Sequence, residues 1–309
     1  MNQTLPSTFV TTINPSLAPK LMKDLQEQGF TLSTPLHTFF SAKKKGVSCT
    51  LYTSGKLMVQ GKEMRPFIEF YLEPSILQTF SYTYQEVATA DTTGLDLTAR
   101  IGIDESGKGD FFGPLCVAGV YAEGDTIAKL KQIGVRDSKT LTPPMIAKLA
   151  QKIREICSYQ IVKINPLKYN ELIVQFANLN KLLAWGHATA IEQLTGKTGC
   201  TRVIIDQFAN EHVVLTALKR KKLSLDITQR HRGEEDLVVA AASILARSTF
   251  VESLEQLEKE YGMKLPKGAS QQTIAAGKRF VASYGQENLK HVAKLHFKTL
   301  DAITGKAQQ

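Results

Sequence analysis

The stretch Ala99-Arg100-Ile101-Gly102-Ile103-Asp104-Glu105-Ser106-Gly107-Lys108-Gly109-Asp110-Phe111-Phe112-Gly113-Pro114 limits what this chain can fold into more than any other. Ala99 to Ile103 reads as a strand, with Ile101 and Ile103 alternating with smaller residues, and it delivers two adjacent acids to the point where glycines stop the strand. Carboxylates side by side raise each other's pKa and cost stability unless a divalent cation or a basic partner compensates. Gly107 and Gly109 flank Lys108, and a turn lacking β-carbons lets backbone N–H groups come close to a phosphate or sugar oxygen. The block therefore offers metal ligands and a phosphate cradle together. Gly102 to Lys108 also fits the phosphate-loop pattern G-x-x-x-x-G-K, which would suit a nucleotide-dependent kinase. That fit breaks at Gly109, where a Ser or Thr should hold magnesium, and two acids inside such a loop would repel phosphates.

With 309 residues, 43% of them hydrophobic, there is material for one large domain and a smaller one. The net charge of +9 favours a polyanionic partner. Cys49, Cys116, Cys157 and Cys200 are widely spaced with no CxxC pair, so they predict neither a zinc site nor a disulfide framework but small core residues in a reducing compartment. Residues 1–14 lack a basic then apolar leader pattern, and no run of eighteen or more apolar residues occurs. A soluble, cytoplasmic protein is expected, with no membrane association and no obligate protein partner evident.

Before the organising stretch the pattern is that of a small α+β domain. Pro15 to Gln28 predicts a helix, with Leu17, Leu21 and Leu25 on one face and Gly29 as its stop. Leu36 to Ala42 reads as extended, and Val47 to Thr53 alternates Val47, Cys49 and Leu51 against Ser48, Thr50 and Tyr52. Ser54-Gly55 then turns the chain into Lys56 to Gln60. Such a sheet has one apolar face and one hydroxyl-rich, basic face, which suits a sugar-phosphate backbone. A helix within Pro66 to Thr79 is expected to be interrupted at Pro74. Domain boundaries are set at 1–85, with 86–98 as linker and 99–309 as the second domain. A non-catalytic nucleic-acid-binding protein built on the first sheet is a further reading.

In the second domain strands are expected at Leu115 to Ala122, Tyr159 to Ile164, Arg202 to Asp206 and Leu223 to Thr228. Helices are expected from Thr142-Pro143-Pro144 to about Cys157, over Leu167 to Phe176 and Leu179 to Leu194, and over Leu237 to Arg247. Trp185 and His187 fall within the third of these and are assigned packing roles. Asp206 repeats the logic of Asp104 by ending a strand of β-branched residues. Asp104, Glu105, Asp206 and Glu234 could converge on one sheet edge and hold two hard cations, an arrangement suited to two-metal displacement at a phosphodiester. One ion would activate the attacking water and the other would stabilise the leaving 3′ oxygen.

The string Gly102 to Gly109, the Asp137-Ser138-Lys139 loop, the Ile205-Asp206 strand end and Ala240-Ala241-Ala242-Ser243-Ile244-Leu245-Ala246-Arg247 resemble the type 2 ribonucleases H. Lys108 stands where the ribonuclease HII branch usually has arginine, and Glu234 where it usually has aspartate; both are choices of the ribonuclease HIII branch. Residues 1 to about 85, Val47 to Gly61 above all, are similar to that branch's amino-terminal domain, itself similar to a TATA-box-binding-protein repeat. The resemblance implies an α/β fold, an RNase H-like mixed sheet flanked by helices, with a small N-terminal α+β domain of the TATA-box-binding-protein kind. It implies cleavage of the RNA strand of an RNA/DNA hybrid with Mg²⁺ or Mn²⁺, leaving 5′-phosphate and 3′-hydroxyl ends, and poor cutting at single ribonucleotides. Carried over, Asp104, Glu105, Asp206 and Glu234 would be the catalytic metal ligands, with Glu235 the alternative for the fourth. Gly107, Lys108 and Gly109 would meet the hybrid backbone and its 2′-hydroxyls, and Asp137, Ser138, Lys139 and Arg247 would bind substrate nearby.

Overall fold

The computed structural model describes residues 8–77, 95–206, 216–218, 225–230 and 233–305, and divides the chain into two units, Met1–Thr89 and Ala90–Gln309. The first unit runs β1 (Thr8–Thr12), α1 (Ala18–Glu27), β2 (Thr31–Ser33), β3 (Thr38–Lys44), β4 (Val47–Tyr52) and β5 (Lys56–Gln60). A single helical turn, α2 (Met64–Phe67), then continues as a π-helical stretch, Ile68–Leu77. The strands form one antiparallel sheet in the order β1-β5-β4-β3-β2.

The period-two alternation of β4 decides how this sheet is used. Val47, Cys49 and Leu51 are buried with Phe40, Ala42, Leu57 and Val59 in a core that also takes Leu21 and Leu25 of α1. Ser48, Thr50 and Tyr52 remain half-buried on the other side, where register aligns Thr50 with Ser41 and Met58, and Met58 in turn with Val10. β1 and β2 were not foreseen, because short strands of mostly polar residues carry little periodic signal. The helix after β5 does not end at Pro74; Ile68, Leu72 and Ile76 recur every fourth residue and are all buried, so tertiary packing overrides the local breaker. Of the expected linker, residues 86–94 lie outside the described residues.

The second unit contains β6 (Arg100–Ser106), β7 (Leu115–Ala122), α3 (Gly124–Gln132), α4 (Pro143–Ile156), β8 (Ser158–Ile164), α5 (Pro166–Phe176), α6 (Leu179–Thr198), β9 (Arg202–Asp206) and β10 (Asp226–Arg230). It closes with α7 (Leu237–Glu260), α8 (Gln271–Tyr284), α9 (Leu289–Val292) and α10 (Thr299–Thr304). Its sheet is mixed, in the order β10-β9-β6-β7-β8, with the β10–β9 and β9–β6 pairs parallel and the other two antiparallel. Helix α3 was not anticipated. Of the last expected strand only Leu225 onward is described, and it pairs from Asp226.

Helices cover both faces of this sheet. Ala184, Ala188, Ile191 and Leu194 of α6 pack on Ile101, Ile103, Val117, Val203 and Ile205. Across the sheet α7 comes so near that a β-carbon on Gly102 would lie 2.4 Å from the Val238 carbonyl carbon, which is why a glycine interrupts the apolar strand. The helix runs 24 residues, well past Arg247. By length and composition it is apolar enough to cross a bilayer, yet 72% of its most apolar window is buried within the fold. Its start is fixed by Asp236, which accepts from the Val238 and Val239 N–H groups and pairs at 2.8 Å with Arg100, itself 3% exposed.

Candidate active site

The parallel pairing of β6 with β9 aligns Ile103 with Ile205, so Asp104 and Asp206 lie one residue further on at neighbouring strand ends. Side chains at matched positions of a parallel pair share a face. Here that is the α7 face: Asp104 is hydrogen-bonded to Ser243, and Asp206 Oδ1 accepts from the Gly233 N–H at 2.8 Å. Burial, the Glu105 charge and the Asp206 charge push the Asp104 carboxyl up to about 7, against the pull of Ser243 and of the Glu105 N–H, which reaches Asp104 Oδ1 at 2.7 Å. Gly233 packs so tightly on Asp206 that a β-carbon would sit 2.8 Å from its Cα. The turn Gly233–Glu235 is thereby tied to the Asp206 strand end.

Glu105, one position along, turns to the opposite face. Its Oε2 lies 3.1 Å from Nε2 of the fully buried His187 on α6, and its Oε1 lies 3.6 Å from Lys108 Nζ. Burial raises the Glu105 carboxyl, but His187 and Lys108 outweigh it and hold the group below the usual carboxylate range. Adjacent acids on one strand are thus shifted in opposite directions, Asp104 upward and Glu105 downward. Among the described residues, which leave out the Glu234 side chain, no three His, Cys, Asp or Glu side chains stand together as a ready metal cluster. The fourth acid of the expected set, Glu234, has its side chain outside the described residues; Glu235 is exposed, and Asp236 is committed to capping α7.

The loop after the acids is braced from several sides. Gly107 has φ +88, and a β-carbon there would strike the Pro114 carbonyl at 2.2 Å and the Phe250 ring at 2.8 Å, whereas Gly109 faces open space. Asp110 Oδ1 accepts from the Gly268 N–H at 2.6 Å. Lys294, fully buried, donates to the carbonyls of Asp110 and Gly113 at 2.7 Å each. Ser138 Oγ lies 2.9 Å from Ser243 Oγ, and Arg247 donates to the Ser138 carbonyl, so a chain of polar contacts runs from Asp104 through α7 to the Asp137–Lys139 loop. Asp137 caps that loop by accepting from the Lys139 N–H at 2.9 Å. Lys139, Arg247 and Lys267 line a cavity of about 320 Å³ with Ser106, Asp110 and Phe250.

A family model for Ribonuclease HII matches residues 101–300, and a domain of unknown function, DUF3378, matches residues 8–83. Over 298 residues the chain is 60% identical to ribonuclease HIII of Protochlamydia amoebophila, covering 96% of this chain and 97% of that protein. The chain belongs to the type 2 ribonucleases H, in the ribonuclease HIII branch. It is also 49% identical to the Chlamydia felis ribonuclease HIII over 302 residues, 97% of this chain and 98% of that one. Among solved structures, Bst-RNase HIII in complex with Mn²⁺ is similar with a TM-score of 0.64 and 27% identity, covering 98% of this chain and 99% of that one. Aquifex aeolicus RNase H3 gives 0.56 and 27%, covering 94% and 100%.

Within this ribonuclease H fold the phosphate-loop alternative fails for a structural reason. Residues 100–106 are strand, hydrogen-bonded on both sides to β7 and β9, so Gly102 to Lys108 cannot wrap a triphosphate. His187 is buried as its packing assignment requires, and it also meets Glu105. It sits in an apolar helix stripe, which signals packing, and only the crossing of α6 over the end of β6 brings it to Glu105. Lys294 is also buried far from its sequence neighbours' pattern, beside an isolated bridge between Phe112 and Ala293 that no local pattern announces.

Proposed function

We propose that the chain hydrolyses the RNA strand of RNA/DNA hybrids at the ends of β6 and β9, leaving 5′-phosphate and 3′-hydroxyl ends, with Mg²⁺ or Mn²⁺ held by Asp104, Glu105, Asp206 and Glu234. As a type 2 ribonuclease H it is an endoribonuclease dependent on divalent metal. The observation that carries the site assignment is the register of Asp104 with Asp206, joined to an Asp104 carboxyl pushed up to about 7 by burial and by its acidic neighbours. An all-oxygen donor set whose crowding a cation would relieve fits a hard divalent ion. When bound, such ions supply the Lewis acidity that phosphodiester hydrolysis requires.

The residues themselves would divide the work. Asp104 and Asp206 are fixed by Ser243 and by the Gly233 N–H, so their carboxylates would hold position without rearrangement. Gly109, open to solvent beside Lys108, would let the backbone approach a sugar, and Lys108 would meet phosphate. Lys139, Arg247 and Lys267 would take a neighbouring phosphate in their shared cavity. In a substrate-binding domain placed at residues 1–85, the hydroxyl-rich sheet face would add hold on the hybrid. A cytoplasmic location accords with four unbridged cysteines.

The test is digestion of a uniformly labelled hybrid, duplex RNA, and duplex DNA bearing one ribonucleotide, with each metal in turn. Metal-dependent cleavage of the hybrid, little of the single-ribonucleotide substrate and none of duplex RNA is expected. Intact hybrid with both metals would reject the proposal.

A further inference from the structure

Glu105 is held at two points of different character. Lys108, which meets Oε1, sits on a glycine-flanked turn and is 36% exposed, so that contact can be surrendered. The contact with Oε2 is of another kind. His187 is wholly buried, and its helix is seated by small residues, Ala184, Gly186, Ala188 and Ala190, which let α6 lie close against the sheet. A β-carbon on Gly186 would already press on Val117 at 3.1 Å. The imidazole is thus part of a rigid layer. An ionised carboxylate only accepts hydrogen bonds, so Nε2 carries the hydrogen and donates it.

A buried histidine in an aliphatic stripe is costly, and an alanine or leucine would serve the packing of α6 as well. Its presence is explained if the carboxylate needs an anchor. We propose that His187 is a positioning residue for metal binding: by holding Oε2 it fixes the orientation of Glu105 and leaves Oε1, the oxygen shared with the partly exposed Lys108, to a divalent cation. The inference rests on the reading of Glu105 as a metal ligand. It assigns His187 no proton transfer and no contact with substrate.

The experiment measures Mn²⁺ binding to the full-length protein without hybrid, by calorimetry and by the spin-resonance signal of free Mn²⁺, together with kcat, KM and the thermal midpoint. Four variants are compared. His187→Leu removes the donor at similar bulk; His187→Gln places an N–H near the position of Nε2; His187→Asn is polar but too short to reach Glu105; Glu105→Gln tests the underlying reading. Loss of such an outer partner typically weakens metal binding by roughly 10–100-fold. That loss is expected for Leu and Asn, with Gln within a few-fold of the wild type, and KM for hybrid unchanged in all three. Excess Mn²⁺ should restore most of the lost kcat.

Should the Leu protein fail to fold, the Gln and Asn pair decides, since they share chemistry and differ in reach. Equal Mn²⁺ affinity in Gln and Asn, or a fall in thermal midpoint with unaltered Mn²⁺ affinity, would assign His187 to packing alone and overturn the proposal. Unaltered Mn²⁺ affinity in Glu105→Gln would instead remove Glu105 from the ligand set, a separate failure that the same data identify.

Discussion

The described residues form two five-stranded sheets that are used in opposite ways. The first is covered by helices on one face and keeps serine, threonine and tyrosine on the other, so what it offers is area. In the second, α6 lies on one face and α7 on the other, and the central strands β9, β6 and β7 are mostly apolar between their ends. Only the ends of its strands are left for polar chemistry, and there Asp104, Glu105 and Asp206 are found. The difference teaches a division of labour. A half-exposed sheet can bind a long polyanion through many weak, forgiving contacts. A doubly covered sheet gives rigid, desolvated positions at its edge, where a carboxylate's pKa can be set by its surroundings.

Removing an edge acid should have the largest effect. Asp104→Asn and Asp206→Asn are each expected to lower kcat by roughly a thousandfold or more, the scale of the several kcal/mol that a metal site supplies. The fold should persist. For Asp104 a second readout carries a sign. Its folded pKa is raised from 3.8 to about 7, so its stabilising contribution in metal-free protein is complete below the unfolded value and is lost as pH climbs toward 7. Metal-free wild type should therefore lose stability between about pH 4 and pH 7 through this group, and Asp104→Asn should flatten that slope and be the more stable protein at neutral pH. Denaturant midpoints across the range check it. An Asn variant less stable than wild type at pH 7.5 without metal would mean that the carboxylate is structural, and the edge would lose its special status.

The contrast between covered and open faces can be broken next, in stability. Gly102→Ala forces a methyl group to within 2.4 Å of the α7 backbone, where no flexible side chain can yield, so a loss of about 2–3 kcal/mol is expected. Arg100→Met strands the buried Asp236 carboxylate and should cost about 3–5 kcal/mol. Ser48→Ala, on the exposed face of β4, should stay within about 0.5 kcal/mol of wild type. Comparable losses at Gly102 and Ser48 would mean that the two sheets are not differently packed after all.

How far the sequence reveals this depends on range. The alternation of β4, the Leu21/Leu25 face of α1 and the strand–acid–glycine block announce themselves because each is written in a few neighbouring residues. The meeting of Asp104 with Asp206 was legible for a related reason: two apolar strands each ending in an acid can be paired in only a few registers. The facing of the acids was harder. Adjacent residues on a strand point to opposite sides, so Asp104 joins Ser243 while Glu105 joins His187, and these separate partners are not written in the neighbouring residues. His187 and Lys294 were hidden because their partners are far away in sequence and their neighbours are those of ordinary core or surface residues. Two-residue spacing can be read from a string; the crossing of one helix over the end of a distant strand cannot.

The smallest expected effect concerns the open face itself. Lys43 stands in register with Ser48 and Thr31, and Lys56 with Thr12, which puts one ammonium on β3 and one at the start of β5 among hydroxyl-bearing neighbours. If this face lies along a sugar-phosphate backbone, each lysine that neutralises a phosphate releases a counterion, and each loss should reduce the slope of log KM against log salt by somewhat under one. The double variant Lys43→Gln, Lys56→Gln should therefore show a slope smaller by about 1–2. KM at low salt should rise several-fold and kcat should not change, since neither residue belongs to the acid edge. A changed kcat would show the two sheets acting on the same step, while an unchanged slope would show that the hydroxyl face meets something other than phosphate. Either result would end the division of labour, in which affinity comes from the area of one sheet and reaction from the edge of the other.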